Sequence, residues 1–123
     1  MKIRINGNSI RLRLTKSEVV ELVHNGNVNA HCEFVQGKLT YRIIQTANDK
    51  MNAELVSNIV TVFVPEQLVE HWDTDERVGF EYQGENGLYI LVEKDFQYMK
   101  PRLNEDESDL FPNPQSNFTS YDG

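Results

Sequence analysis

The chain predicts an α+β fold, mostly antiparallel, with about eight strands in four hairpins and two short helices. Three observations carry this. Apolar and polar residues alternate in short runs, each pair of runs is joined by a recognisable turn, and the order hairpin, helix, hairpin occurs twice. The first copy spans residues 2–45 and the second 51–93, at an offset of about 49 residues. The recurrence points to duplicated ββαββ units that bury a shared core as one sheet system or a small barrel. Residues 1–96 form the expected α+β domain, and 97–123 an acidic, largely irregular C-terminal tail.

In the first hairpin, Ile3 and Ile5 alternate with Lys2 and Arg4, and Ile10, Leu12 and Leu14 with Arg11 and Arg13. A Gly7-Asn8 turn sets Ile5 opposite Ile10 and Ile3 opposite Leu12, so the five apolar side chains share one face. Thr15-Lys16-Ser17-Glu18 reads as a capping box opening a helix, with Val19, Val20, Leu22 and Val23 as its apolar stripe and Asn25-Gly26 as its stop. A Gln36-Gly37 turn pairs Phe34 with Leu39, Cys32 with Tyr41 and Ala30 with Ile43.

The second copy follows the same logic. A Ser57-Asn58 turn sets Leu55 against Val60 and Ala53 against Val62. Pro65 at a first helical position opens a helix through Leu68, Val69 and Trp72, which align with Val19, Val20 and Val23. A Glu85-Asn86-Gly87 loop, with glycine at the left-handed position, faces Tyr82 to Ile90 and Phe80 to Val92. Beyond Phe96 no apolar period survives. The run Glu105-Asp106-Glu107-Ser108-Asp109 precedes Leu110-Phe111-Pro112, the one apolar anchor of the tail.

At 123 residues the chain is long enough to bury a core without a disulfide, and its single cysteine, Cys32, fits a reducing compartment. The longest apolar stretch, Ile59 to Val64, is too short to span a bilayer, and the Met1 end opens into strand alternation rather than a secretory apolar region. A cytoplasmic protein away from membranes is expected. The net charge of −7 divides unevenly. Residues 1–45 carry seven Lys/Arg against three Asp/Glu, and 46–123 carry five against sixteen. A negative total disfavours nucleic acid, whose binding rests on phosphate neutralisation, but leaves room for a local anion site in the first half.

Several segments bear a resemblance to a known group. They are Ser9-Ile10-Arg11-Leu12-Arg13-Leu14-Thr15, Leu91-Val92-Glu93-Lys94-Asp95-Phe96 at the last strand, and Glu105-Asp106-Glu107-Ser108-Asp109-Leu110-Phe111-Pro112-Asn113-Pro114 in the tail. With these the chain resembles a family of small uncharacterised bacterial proteins, a domain of unknown function. The resemblance covers the whole chain and implies no activity, cofactor or catalytic residue.

The residues with chemical interest are cationic. The hairpin register places Arg4 directly opposite Arg11 and Lys2 opposite Arg13, and like charges facing across strands are destabilising. Relief comes from solvent, from carboxylates such as Glu54, Glu81, Glu93 or the acidic run, or from an external anion held by Arg4, Arg11, Arg13 and Arg42. No carboxylate pair, nucleophile elbow, phosphate loop or cysteine pair is present, and His31 and Cys32 point to opposite faces of one strand. No metal and no cofactor is therefore expected. The leading expectation is a noncatalytic binding or interaction module, with an unknown protein or a small anionic ligand as partner. The alternative is a small-molecule or phosphoester enzyme, or anion binder, built on the arginine-lined face.

Overall fold

Strands β1 (Lys2–Ile5) and β2 (Ser9–Leu14) form the expected hairpin, with Ile3 opposite Leu12, Ile5 opposite Ile10 and Arg4 opposite Arg11. The computed structural model of the chain describes residues 1–97 and 108–112. Helix α1 (Lys16–Asn25) starts at a complete capping box. The Thr15 side chain accepts from the Glu18 amide, and the Thr15 amide donates to Glu18 Oε1 at 2.9 Å. The helix stops at Gly26, whose φ of 83° lies in the left-handed region that glycine enters without a Cβ penalty. Val19 and Leu22 are buried, whereas Val20 is exposed, so the buried stripe is narrower than the sequence suggests.

Strands β3 (Asn27–Phe34) and β4 (Gly37–Thr46) pair with Cys32 opposite Leu39, Ala30 opposite Tyr41 and Val28 opposite Ile43. This differs by two residues from the expected register, because the turn is Val35-Gln36 rather than Gln36-Gly37. A slip of two preserves the faces, since side chains alternate with period two. It sets Val28 against Ile43, both buried. The third hairpin, β5 (Asn52–Val56) and β6 (Ile59–Pro65), has the expected register. Ser57 and Asn58 both take positive φ, 50° and 64°, as a two-residue hairpin turn requires.

Helix α2 (Glu66–Val69) is a single turn and ends before Trp72. The chain reverses at His71, which takes φ 66°, and this turns the indole back into the core. The Trp72 Nε1 donates to the Arg77 carbonyl at 2.9 Å, and its ring lies 4.7 Å from Phe80. The expected pairing of Val20 with Val69 and Val23 with Trp72 is therefore one residue out of step. The buried residues are Val19 and Leu22 in one half and Val69 and Trp72 in the other, while Leu68 is exposed. Strands β7 (Gly79–Gln83) and β8 (Tyr89–Lys94) close the last hairpin with Phe80 opposite Val92, as expected.

The hairpins assemble into two four-stranded mixed sheets, ordered β1-β2-β8-β7 and β3-β4-β6-β5. The expectation of one sheet system or a small barrel is corrected here: each half contributes one hairpin to each sheet, and the edges β1, β7, β3 and β5 do not close. The central pairs are parallel, with Leu12 beside Val92 in one sheet and Val62 beside Ile43 in the other. Exchanging β1-β2 with β5-β6 and β3-β4 with β7-β8 converts one strand order into the other. Matching hydrogen bonds tie the hairpin ends together. The Tyr89 amide donates to the Asn8 carbonyl and the Thr40 amide to the Asn58 carbonyl, each at 3.0 Å. Inner-face residues of both sheets, with Val19, Leu22, Val69 and Trp72, form one apolar core.

Gly79 sits on edge strand β7 opposite Glu93. A Cβ there would lie 2.1 Å from the Val92 carbonyl oxygen and 2.7 Å from Glu93 Cα, both backbone atoms that cannot swing aside. Gly79→Ala is expected to cost on the order of 1–3 kcal/mol, the range for forced overpacking, measured as a lower urea midpoint with unchanged slope.

After β8 the chain returns to β2 and α1. The Asp95 amide donates to the Leu14 carbonyl and the Phe111 amide to the Asp95 carbonyl, both at 2.9 Å, and Phe96 and Phe111 form a parallel bridge with rings 5.7 Å apart. Leu110 is buried. Asp109 adds to the helix cap, accepting from the Ser17 hydroxyl at 2.6 Å through Oδ2 and from the Lys16 amide at 3.0 Å through its carbonyl oxygen. Of the expected irregular tail, residues 98–107, including Glu105, Asp106 and Glu107, and 113–123 lie outside the described residues. No helix among the described residues is long and apolar enough to cross a membrane.

Candidate functional site

Alternation along β1 and β2 turns Lys2, Arg4, Arg11 and Arg13 to the face of their sheet opposite the core, because Ile3, Ile10, Leu12 and Leu14 point inward. The parallel pairing of β2 with β8 then sets Arg13 beside Glu93. The Arg13 Nε donates to Glu93 Oε1 at 3.0 Å, and the Arg11 Nε lies 3.5 Å from the same oxygen. Lys2 Nζ is 3.2 Å from Asp95 Oδ2. Three of the facing cations, Lys2, Arg11 and Arg13, thus meet carboxylates from within the chain. One carboxylate from the second half sits between two arginines from the first.

The pair is buried, with Arg13 6% and Glu93 4% exposed. At the corresponding positions of the other sheet the same register joins Phe63 and Ile44. One sheet therefore carries an ion pair where its counterpart carries two apolar side chains. Arg4 is exposed, and Arg42 is not part of this cluster. It lies on β4 in the other sheet, where its Nε donates to Thr61 Oγ1 at 2.8 Å. Of the four arginines the sequence singled out, the fold brings together Arg4, Arg11 and Arg13 and separates Arg42.

Beside this cluster, Tyr89 donates its hydroxyl to Glu81 Oε2 at 2.6 Å. That hydrogen bond to a carboxylate, reinforced by desolvation, pushes the phenol up to about 12. The neutral phenol is the form the fold favours, so this stabilisation is complete below the ordinary value of about 10 and fades as the pH rises toward the folded value. An ultraviolet absorbance titration is expected to show one tyrosine ionising near pH 12. Glu81→Gln should bring that midpoint back toward the ordinary range.

Two further features escaped sequence reasoning because they depend on long-range packing. Lys94 follows the inward alternation of Ile90 and Val92 and is buried, its ammonium donating to the Asp75 carbonyl at 2.8 Å and lying 5.0 Å from the Phe111 ring and 5.7 Å from Trp72. Desolvation lowers its pKa. Burial also works against the Asp75 carboxylate, yet hydrogen bonds from Arg77 hold it below its usual range. The Lys94 and Arg77 contacts lock the loop after α2 over the core.

A cleft of about 570 Å³ lies between the end of α1 and that loop, lined by His24, Glu66, Glu70, His71 and Asp73 among others. His24 Nε2 is 2.9 Å from Asp73 Oδ2. The imidazole is largely open to solvent, which makes the contact a surface pair when protonated. Among the described residues no group of three His, Cys, Asp or Glu is placed to hold a metal ion.

The most conspicuous exposed feature is apolar. Because β4 and β6 run parallel, the β3-β4 and β5-β6 turns fall at the same end of their sheet. They carry Phe34, Val35, Leu55 and Val56, which are 60, 99, 70 and 55% exposed. Phe34 and Leu55 continue the core faces of β3 and β5 past the buried Val28 and the half-buried Ala53. A sequence signal was present, namely consecutive apolar residues at each turn. The longer strands of this sheet turn that signal into an overhang beyond the core.

No curated protein and no solved structure matches the chain. The model of a family of unknown function, DUF7009, matches residues 1–115. The sheets, the ion pairs and the apolar end described above all lie within that span, and on this match the chain belongs to the DUF7009 family.

Proposed function

We propose that this protein is a cytoplasmic, noncatalytic interaction module that meets its partner at the apolar end of the β3-β4-β6-β5 sheet. The observation that carries this reading is the exposure of Phe34, Val35, Leu55 and Val56 at two adjoining turns. Large apolar side chains exposed at one end of a sheet are candidates for an interaction surface. The single, free Cys32 is in keeping with a reducing compartment. We also read the two halves as copies of one ββαββ unit, a reading supported by the interchange of strand orders between the sheets.

The test uses Leu55→Ser combined with Val56→Ser. The wild-type protein is expected to bind anilinonaphthalene sulfonate at this end, and the double variant to lose that fluorescence while keeping its urea midpoint. A stability loss above about 1 kcal/mol, beyond the usual effect of a surface substitution, would assign these residues to the core and sink the interaction reading.

A second reading, an anion binder or phosphoester enzyme, draws support from exposed Arg4 facing Arg11 across the hairpin. Glu93 already occupies the space between Arg11 and Arg13, which leaves Arg4 as the group for an external anion. Phosphate or pyrophosphate heat of binding that Arg4→Gln removes would favour this reading over the first.

A further inference from the structure

We infer that the free edge of β3 pairs antiparallel with β3 of a second copy, joining two β3-β4-β6-β5 sheets into one continuous sheet. The inference rests on the interaction-module reading and names the partner. Among the described residues four strands are sheet edges. β1 has four residues and carries Lys2 and Arg4, β5 has five with Glu54 at its centre, and β7 has five and opens with Gly79. β3 has eight, from Asn27 to Phe34, with an unbroken register to β4. It holds no lysine, arginine or proline, devices that blunt edge pairing, and its one carboxylate, Glu33, lies next to its last residue rather than at its centre as Glu54 does in β5. Every residue after Ala30 on this strand is exposed, including Cys32 and Phe34 on its core-facing side.

Self-pairing about a twofold axis normal to the sheet keeps each side chain on its own face and requires one residue to face its own copy. Centring on His31 sets Val28 against Phe34 of the second copy, Ala30 against Cys32, and Asn29 against Glu33. The apolar side chains then meet apolar ones, and the carboxylate of Glu33 meets the amide of Asn29, a donor. Centring on Cys32 would shorten the paired stretch to residues 30–34. Centring on Ala30 would set Phe34 against Gly26, which offers no side chain. Of these registers the His31-centred one gives the exposed Phe34 ring an apolar cross-strand neighbour over the longest paired stretch, residues 28–34, so a second copy of this chain fits the edge.

The experiment combines sedimentation analysis with a register-specific cross-link. The wild-type chain is expected to sediment at twice its 14.3 kDa mass. Ala30→Cys is expected to give a disulfide-linked dimer under mild oxidation, because its thiol would face Cys32 of the second copy at cross-strand distance. The wild-type chain, with Cys32 facing Ala30, should give none. His31→Lys places two ammonium groups face to face at the axis and is expected to give monomers whose melting midpoint, unlike that of wild type, does not rise with protein concentration. A single-chain mass for wild type at all concentrations, or a His31→Lys dimer as stable as wild type, would overturn the pairing. Efficient cross-linking of wild type through Cys32 alone would overturn the His31-centred register. Dye binding that depends on Leu55 and Val56 reports on the apolar end separately, since β5 lies at the opposite edge of the sheet. A monomer that still binds dye thus defeats the self-pairing and leaves the interaction surface standing.

Discussion

Trp72→Ala is expected to lower stability by about 3–5 kcal/mol, the range for truncating a large buried aromatic. The indole is fully buried at the centre of the core, stacked at a tilt on Phe80 and hydrogen-bonded through Nε1 to Arg77. Removing it opens a cavity, strips the Arg77 carbonyl of its donor and withdraws one of the two rings beside the Lys94 ammonium. Trp72→Phe separates these effects, because it restores much of the volume and not the donor. Its cost should fall to about 1–3 kcal/mol, the penalty for an unsatisfied buried polar group. Urea denaturation followed by circular dichroism measures both. A midpoint unchanged by Trp72→Ala would remove the indole from the core and with it the account of the reversal at His71.

Glu93→Ala is expected to cost about 3–5 kcal/mol, as breaking a buried ion pair from one side does. It takes away the carboxylate that Arg13 and Arg11 share and leaves cations facing cations across β1 and β2. The partners are not equivalent. Arg11 is the more exposed, and Arg11→Gln should cost no more than about 1 kcal/mol, as for other exposed pairs. A neutral Arg11→Gln with a costly Glu93→Ala would locate the strong interaction at Arg13.

The other sheet suggests the repair. Phe63 and Ile44 hold the corresponding places there, so Arg13→Met with Glu93→Leu should regain most of the lost stability, as apolar replacement of buried ion pairs often does. Failure of that rescue, measured in a double-mutant cycle, would show that the ion pair contributes more than its own neutralisation.

The sequence by itself determined the local units. Period-two alternation and turn chemistry placed all eight strands in four hairpins, and three of the four registers follow from them. Thr15 and Gly26 bounded α1, because caps act within one helical turn. The limits were local too. Val35-Gln36 lacks the residues that mark a hairpin turn, so the β3-β4 register slipped by two without changing faces. The apolar spacing around Val69 and Trp72 fits a helix as well as it fits a turn that reverses at His71.

Only the tertiary structure decided which hairpins pair. The parallel neighbours β2 with β8 and β4 with β6 are joined by no turn, and a strand buried on one face carries the same alternation whichever neighbour it has. That pairing is what splits the strands into two sheets, puts Glu93 between Arg11 and Arg13, and leaves Arg42 in the other sheet. It also brings two turns together at one sheet end, where Phe34, Val35, Leu55 and Val56 face solvent. Composition and alternation fix which face of a strand is apolar. Whether that face is covered depends on the length of the strands packed across it, which no local signal records.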